Sequence, residues 1–164
     1  MKKFICNFSV SLTGYLIINF IGYLMRNTYY PEMGINNFFI TKYIPSGMGG
    51  LLFVFFLAIH IAIISILYFK LGRELNIFDN PFINYLSVCS SFIFSIVILY
   101  YNLRYIGRDN QQLIFDVNAS YGILWTIVRR ALKEYYIGYY IMAIIPSIII
   151  WLGMSVGQRK RIEK

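Results

Sequence analysis

The chain has 164 residues, of which 59% are hydrophobic and only 13% charged, with a formal net charge of +8. A soluble domain of this composition would expose more apolar surface than it can cover, so lipid must solvate much of it. The positive charge does not point to nucleic acid, because Lys2, Lys3, Lys70, Arg73, Arg159, Lys160, Arg161 and Lys164 flank apolar runs, where basic side chains anchor to anionic headgroups.

Four runs carry no Asp, Glu, Lys or Arg: Phe4–Met25, Met48–Phe69, Pro81–Leu103 and Tyr135–Val156. At about 1.5 Å of rise per residue, each can cross the roughly 30 Å hydrocarbon core of a bilayer as one helix. The sequence therefore predicts an all-α integral membrane protein. Its form is a four-helix antiparallel bundle with an interfacial amphipathic helix before the last span, one domain over residues 1–164 with spans at about 4–25, 48–69, 81–103 and 135–156.

The first run follows Met1-Lys2-Lys3, as a signal peptide would. It is too long for such a segment, is interrupted by Asn7, Ser9, Ser11 and Thr13, and ends at Met25-Arg26-Asn27 without a small-residue cleavage site. It is expected to be retained as a span, packing through Asn7, Ser11, Gly14 and Gly22. The second run offers Gly50, Ala58, Ala62 and Ser65 along one side, and places His60, the single histidine, near its middle. Lys70–Asn80 reads as a tight turn. Asn80-Pro81 is a helix cap followed by proline at the first helical position.

The third run has a polar stripe at helical spacing: Asn84, Ser87, Ser91, Ser95 and Asn102. In lipid, small residues and interhelical hydrogen bonds hold helices together, so this helix is expected at the centre of the bundle. After it, Tyr121, Leu124, Val128, Ala131, Leu132 and Tyr135 share one face, and Thr126, Arg129, Arg130 and Lys133 the other. That pattern fits a helix lying in the interface plane. The last run presents Gly138, Gly153 and Gly157, and Pro146 should kink it.

Four spans return both termini to one side. The short basic turn and the Arg-Lys-Arg tail translocate poorly, which places that side in the cytoplasm and the protein in the cell membrane. Twelve of fifteen tyrosines fall at or beyond the opposite surface, among them Tyr29, Tyr30, Tyr139 and Tyr140. Phenol rings favour the headgroup level, so an anchoring belt explains many of them. The one-sidedness also suits a recognition face, to which Arg129 and Arg130 belong.

Catalytic readings fail for want of partners. No acid lies inside a run, so His60 has no carboxylate with which to build a triad. A single histidine and two cysteines (Cys6 and Cys89) in different runs do not make a haem, metal or disulfide-exchange centre. No catalytic residue, cofactor or metal ligand is assigned. Arg108-Asp109, Asp116 and Arg129-Arg130 resemble a phosphate clamp only weakly, and support a lipid-modifying enzyme as a minor reading. His60, Asn84, Ser87, Ser91, Ser95 and Asn102 form the intramembrane polar site, serving either packing or a passive pathway. The leading expectation is a non-catalytic protein that binds another membrane protein or a second copy of itself, as an accessory subunit or an immunity-type factor; a small oligomeric pore or uncoupled transporter is the alternative.

Overall fold

The computed structural model describes residues 1–29, 49–101 and 135–162, and over these the chain is all-helical. Five helices follow in order: α1 (Lys2–Tyr29), α2 (Gly49–Glu74), α3 (Pro81–Val88), α4 (Ser90–Tyr101) and α5 (Tyr135–Ile162). The interfacial helix, Tyr30, Asn102, Arg129 and Arg130 lie outside the described residues, as does the Arg108–Asp116 segment.

By length and apolar composition, Lys2–Met25 and Phe55–Glu74 suffice to cross a bilayer, and α3 with α4 makes a third such stretch if the bent pair is one span. Ala143–Gly157 is a shorter apolar helix. The helices run past the charge-free segments, because backbone hydrogen bonding does not stop where the first lysine appears. Long basic side chains at a helix end can keep their stems on apolar surface and their heads in water.

Contacts fix the helix directions. Asn7 and Tyr15 of α1 meet Asn76 and Tyr68, and likewise Ser87 and Ser95. Thus α1 runs antiparallel to α2 and alongside α3–α4. On α5, Ser147 meets Ser91 and Trp151 meets Tyr85, so α5 opposes α3–α4. The start of α1, the turn at residues 75–80 and the end of α5 therefore gather at one end. The expectation of a central third helix needs correction: α2 packs chiefly on α1 and α5, and α3–α4 packs on the same two. The arrangement is a ring of four columns, closed around Tyr15, Ile64, Tyr68, Val88, Ile150 and Met154.

The tightest join is between α2 and α5. A Cβ on Gly72 would fall inside the contact radius of the Ile150 carbonyl oxygen, and one on Gly153 inside that of Phe69. Gly157 lies one turn further on, against the Arg73 backbone. Gly153 and Gly157 were legible as contact residues, but the α2 side was not. Ala58 and Ala62 are exposed, and the buried face carries Leu57, His60, Ile64, Tyr68 and Gly72 instead. Gly72 sits between Lys70 and Arg73 in what the charges mark as a turn, yet the helix continues through it.

The third column is two helices, not one. It bends by 41° between Val88 and Ser90. At the break the Cys89 N–H donates to Leu86 O at 3.4 Å, a tightened turn in place of the usual i−4 bond. The Ser11 hydroxyl donates to the Val88 carbonyl at 3.1 Å, so an acceptor at the break finds its partner on a neighbouring helix. Pro146 is buried, and α5 runs through it without interruption.

Candidate functional site

The buried polar residues are distributed along the inner face of α1 and the facing sides of α3, α4 and α5, with His60 on α2. At the end where the chain turns, two asparagine amides grip the backbone. Asn7, 0% exposed, donates through Nδ2 to Asn76 O at 2.7 Å and accepts the Asn76 N–H on Oδ1 at 3.0 Å. Asn84 does the same to Phe78, accepting its N–H at 2.8 Å and donating to its carbonyl at 2.9 Å. Each amide thus satisfies both the N–H and the carbonyl of a single turn residue, as a strand partner would. Asn80 caps α3, accepting the Phe82 N–H at 2.8 Å with Pro81 at the first helical position, as the sequence predicts.

Ser87 joins the two clamps. Its hydroxyl donates to Asn84 O at 2.8 Å and receives Asn7 Nδ2 at 3.3 Å. Deeper along the column, Ser91 and Ser147 exchange a hydroxyl bond at 2.7 Å, joining α4 to α5 beside Pro146. Ser95 and Tyr15 do the same at 2.7 Å, joining α4 to α1. Asn19 also bonds the Tyr15 hydroxyl. Tyr15 is wholly buried, stacks on Tyr68 with ring centres 6.3 Å apart and takes the Phe94 edge at 6.2 Å. It is a core residue with a polar tip, and nothing in its sequence position at mid-span announces this.

His60 is 1% exposed, on the face of α2 that also buries Leu57, Ile64 and Tyr68. The bonds described for Ser87, Ser91 and Ser95 run to α1, α3 and α5. Of the sequence-predicted intramembrane set, Asn84, Ser87, Ser91 and Ser95 are all buried, and they divide between clamping the turn and pairing helices. Tyr29 is the last residue of α1, and Tyr139 and Tyr140 lie in the opening turns of α5.

Hydroxyls and carboxamides arranged this way exchange hydrogen bonds but do not form a nucleophile with its base. Among the described residues no three of His, Cys, Asp and Glu come together. Cys89 donates its thiol to Leu86 O at 3.0 Å, within its own turn, and Cys6 faces outward. Three buried polar atoms, Arg73 Nε, Ser90 Oγ and Trp151 Nε1, have no hydrogen-bond partner among the described residues. Comparison of the chain with protein-family models, curated proteins and solved structures finds no match.

Proposed function

We propose that the chain is a four-span integral membrane protein with both ends on the cytoplasmic side, and that it works by binding another membrane protein through its tyrosine-rich end. The single observation that carries this reading is the inverted segregation of side chains. Asn7, Ser11, Ser87, Ser91 and Ser147 are essentially fully buried, while Ile17 and Phe20 are 57% and 60% exposed. Water would penalise that arrangement on both counts; hydrocarbon favours it. The apolar skin continues over Ile5, Leu16, Phe55, Ile66, Phe82, Ile93, Val97 and Leu152.

Because the polar stripe is engaged between helices of one copy, its groups serve as interhelical glue in this reading. Each such bond is worth about 0.6–1.7 kcal/mol in a bilayer. Recognition is then left to the end of the bundle where α1 finishes at Tyr29 and α5 opens with Tyr139 and Tyr140 in its first turns, the end to which the sequence reading also assigns Tyr30. A photo-crosslinking side chain at Tyr30 or Tyr139, in native membranes, should yield a discrete adduct with a second membrane protein. The same group at Lys2 or Lys164 should not. Adducts from Lys2 alone, or a conductance in reconstituted vesicles that Ser91→Leu abolishes, would replace this reading with the pore.

A further inference from the structure

We infer that the third column is a two-state hinge at Cys89, where Cys89 and Ser90 compete for the Leu86 carbonyl and the Ser11 hydroxyl of α1 holds the bent state. In a continuous helix the Leu86 carbonyl accepts the Ser90 N–H, and the Val88 carbonyl accepts the Phe92 N–H. At the break both carbonyls have other donors. Leu86 O takes the Cys89 N–H at 3.4 Å and the Cys89 thiol at 3.0 Å, while Val88 O takes the Ser11 hydroxyl at 3.1 Å. Ser90 is 1% exposed, and its hydroxyl has no hydrogen-bond partner among the described residues. On an unbroken helix a serine hydroxyl can bond the carbonyl four residues back, which for Ser90 is Leu86 O. Cys89 occupies it.

A carbonyl oxygen has two lone pairs, so the two residues cannot share this one. Straightening returns Leu86 O to the Ser90 N–H and hydroxyl, and Val88 O to Phe92; it gives up the thiol bond and the Ser11 bond. Each state therefore satisfies groups that the other leaves out, and such near balance is what a hinge requires. No glycine or proline lies between Leu86 and Phe92 to fix the bend, so these few side chains set it. Above the break, α4 is tied to α1 by Tyr15–Ser95 and to α5 by Ser91–Ser147. The moving part is α3, with Phe78 clamped to it by Asn84. Phe82 lies about 10 Å from the pivot at 1.5 Å per residue, so removing the 41° bend carries it roughly 7 Å. That swing draws Ser87 from Asn7 Nδ2, at 3.3 Å the longer of the two bonds from α1 to α3.

Distances between nitroxides, measured by double electron–electron resonance on the full chain in lipid nanodiscs, test the hinge. The labels are carried on unnatural side chains, one at Ile66 of α2 and the other at Phe82 of α3 or Val97 of α4, all three exposed. Ser11→Ala with Cys89→Ala removes two bonds peculiar to the bent state. It should raise the population of a second Ile66–Phe82 distance about ten-fold over wild type, as the loss of two such bonds implies. Adding Ser90→Ala should restore the wild-type distribution, because it deletes the hydroxyl that straightening satisfies. The Ile66–Val97 distance should stay single and unchanged in every variant, which checks that the bundle is intact. An unchanged Ile66–Phe82 distance in the double variant overturns the hinge. A shift that Ser90→Ala leaves in place also overturns it, since that marks a packing defect and not an exchange of partners. Movement of both pairs together does the same, because α3 and α4 then move as one.

Discussion

Gly153→Val should separate α2 from α5 and lower stability by roughly 3 kcal/mol or more, the upper end of what overpacking costs. The first added carbon meets the Phe69 carbonyl oxygen and carbon and the Gly72 Cα, all of them backbone. No rotamer change relieves such a contact, so the helices must move apart and surrender the packing of Ile150 and Met154 against Tyr68 and Ile64. Even Gly153→Ala should be destabilising. The helix-propensity gain of about 0.5–1 kcal/mol that alanine usually brings is smaller than the clash. Gly14→Ala is the control: the nearest atoms its Cβ meets all belong to the Leu71 side chain, which can swing away, and none to backbone. It should be near neutral. Unfolding in a titration of denaturing into native detergent measures all three, and a Gly153→Ala protein as stable as wild type would mean that the α2–α5 contact is looser than described.

Asn7→Ala should release the 75–80 turn from α1. It removes the acceptor of the Asn76 N–H and the donor to the Asn76 carbonyl together. Leaving such partly buried groups unmatched costs about 1–3 kcal/mol. Asn7→Asp separates the two halves of the clamp. A carboxylate still accepts the N–H, but it turns an oxygen towards Asn76 O and Ser87 Oγ, where the amide nitrogen stood. In a buried position that substitution should be worse than alanine. Amide hydrogen exchange reports the effect locally: protection at Asn76 should collapse in Asn7→Ala, which offers no acceptor, and fall less in Asn7→Asp, while protection at Phe78, held by Asn84, should persist in both. Uniform loss at both sites would mean that the turn opens as one unit and that the clamps are not independent.

The parts of this fold that the sequence discloses are those set by local chemistry and by hydropathy. Asn80-Pro81 announces a helix start because capping needs only an oxygen two residues ahead of an N–H. Asn7, Ser11, Ser91 and Ser95 stand out as inward-facing because a polar side chain in an apolar run must find a partner. Their partners were not legible. Asn76 and Phe78 contribute backbone groups, which carry no residue-type signal at all. Tyr15, outside the tyrosine belt, and Ser147 carry no signal of their roles until a neighbouring helix meets them.

The break at Cys89 has no glycine or proline to mark it; it coincides with a carbonyl that a hydroxyl of α1 accepts responsibility for satisfying. Gly72 was hidden for the opposite reason. Lys70 and Arg73 flag the limit of the apolar run, and a run's limit was read as the helix's end. The Ala58–Ala62 face failed because small residues permit close packing without compelling it. On α2 the neighbours approach from the side of Ile64 and Tyr68, where bulk and burial outweigh smallness.

Topology is the most direct measure of the central claim. Single cysteines in place of Lys2, Asp79 and Lys164, and of Asn37 and Asn110, in a Cys6→Ser, Cys89→Ser background, can be labelled in intact cells with a membrane-impermeant maleimide. Reagent should reach Asn37→Cys and Asn110→Cys from outside, and the other three only after the cells are opened. Labelling that splits Asp79→Cys from Lys164→Cys, or that treats all five sites alike, would contradict a chain that crosses the bilayer four times.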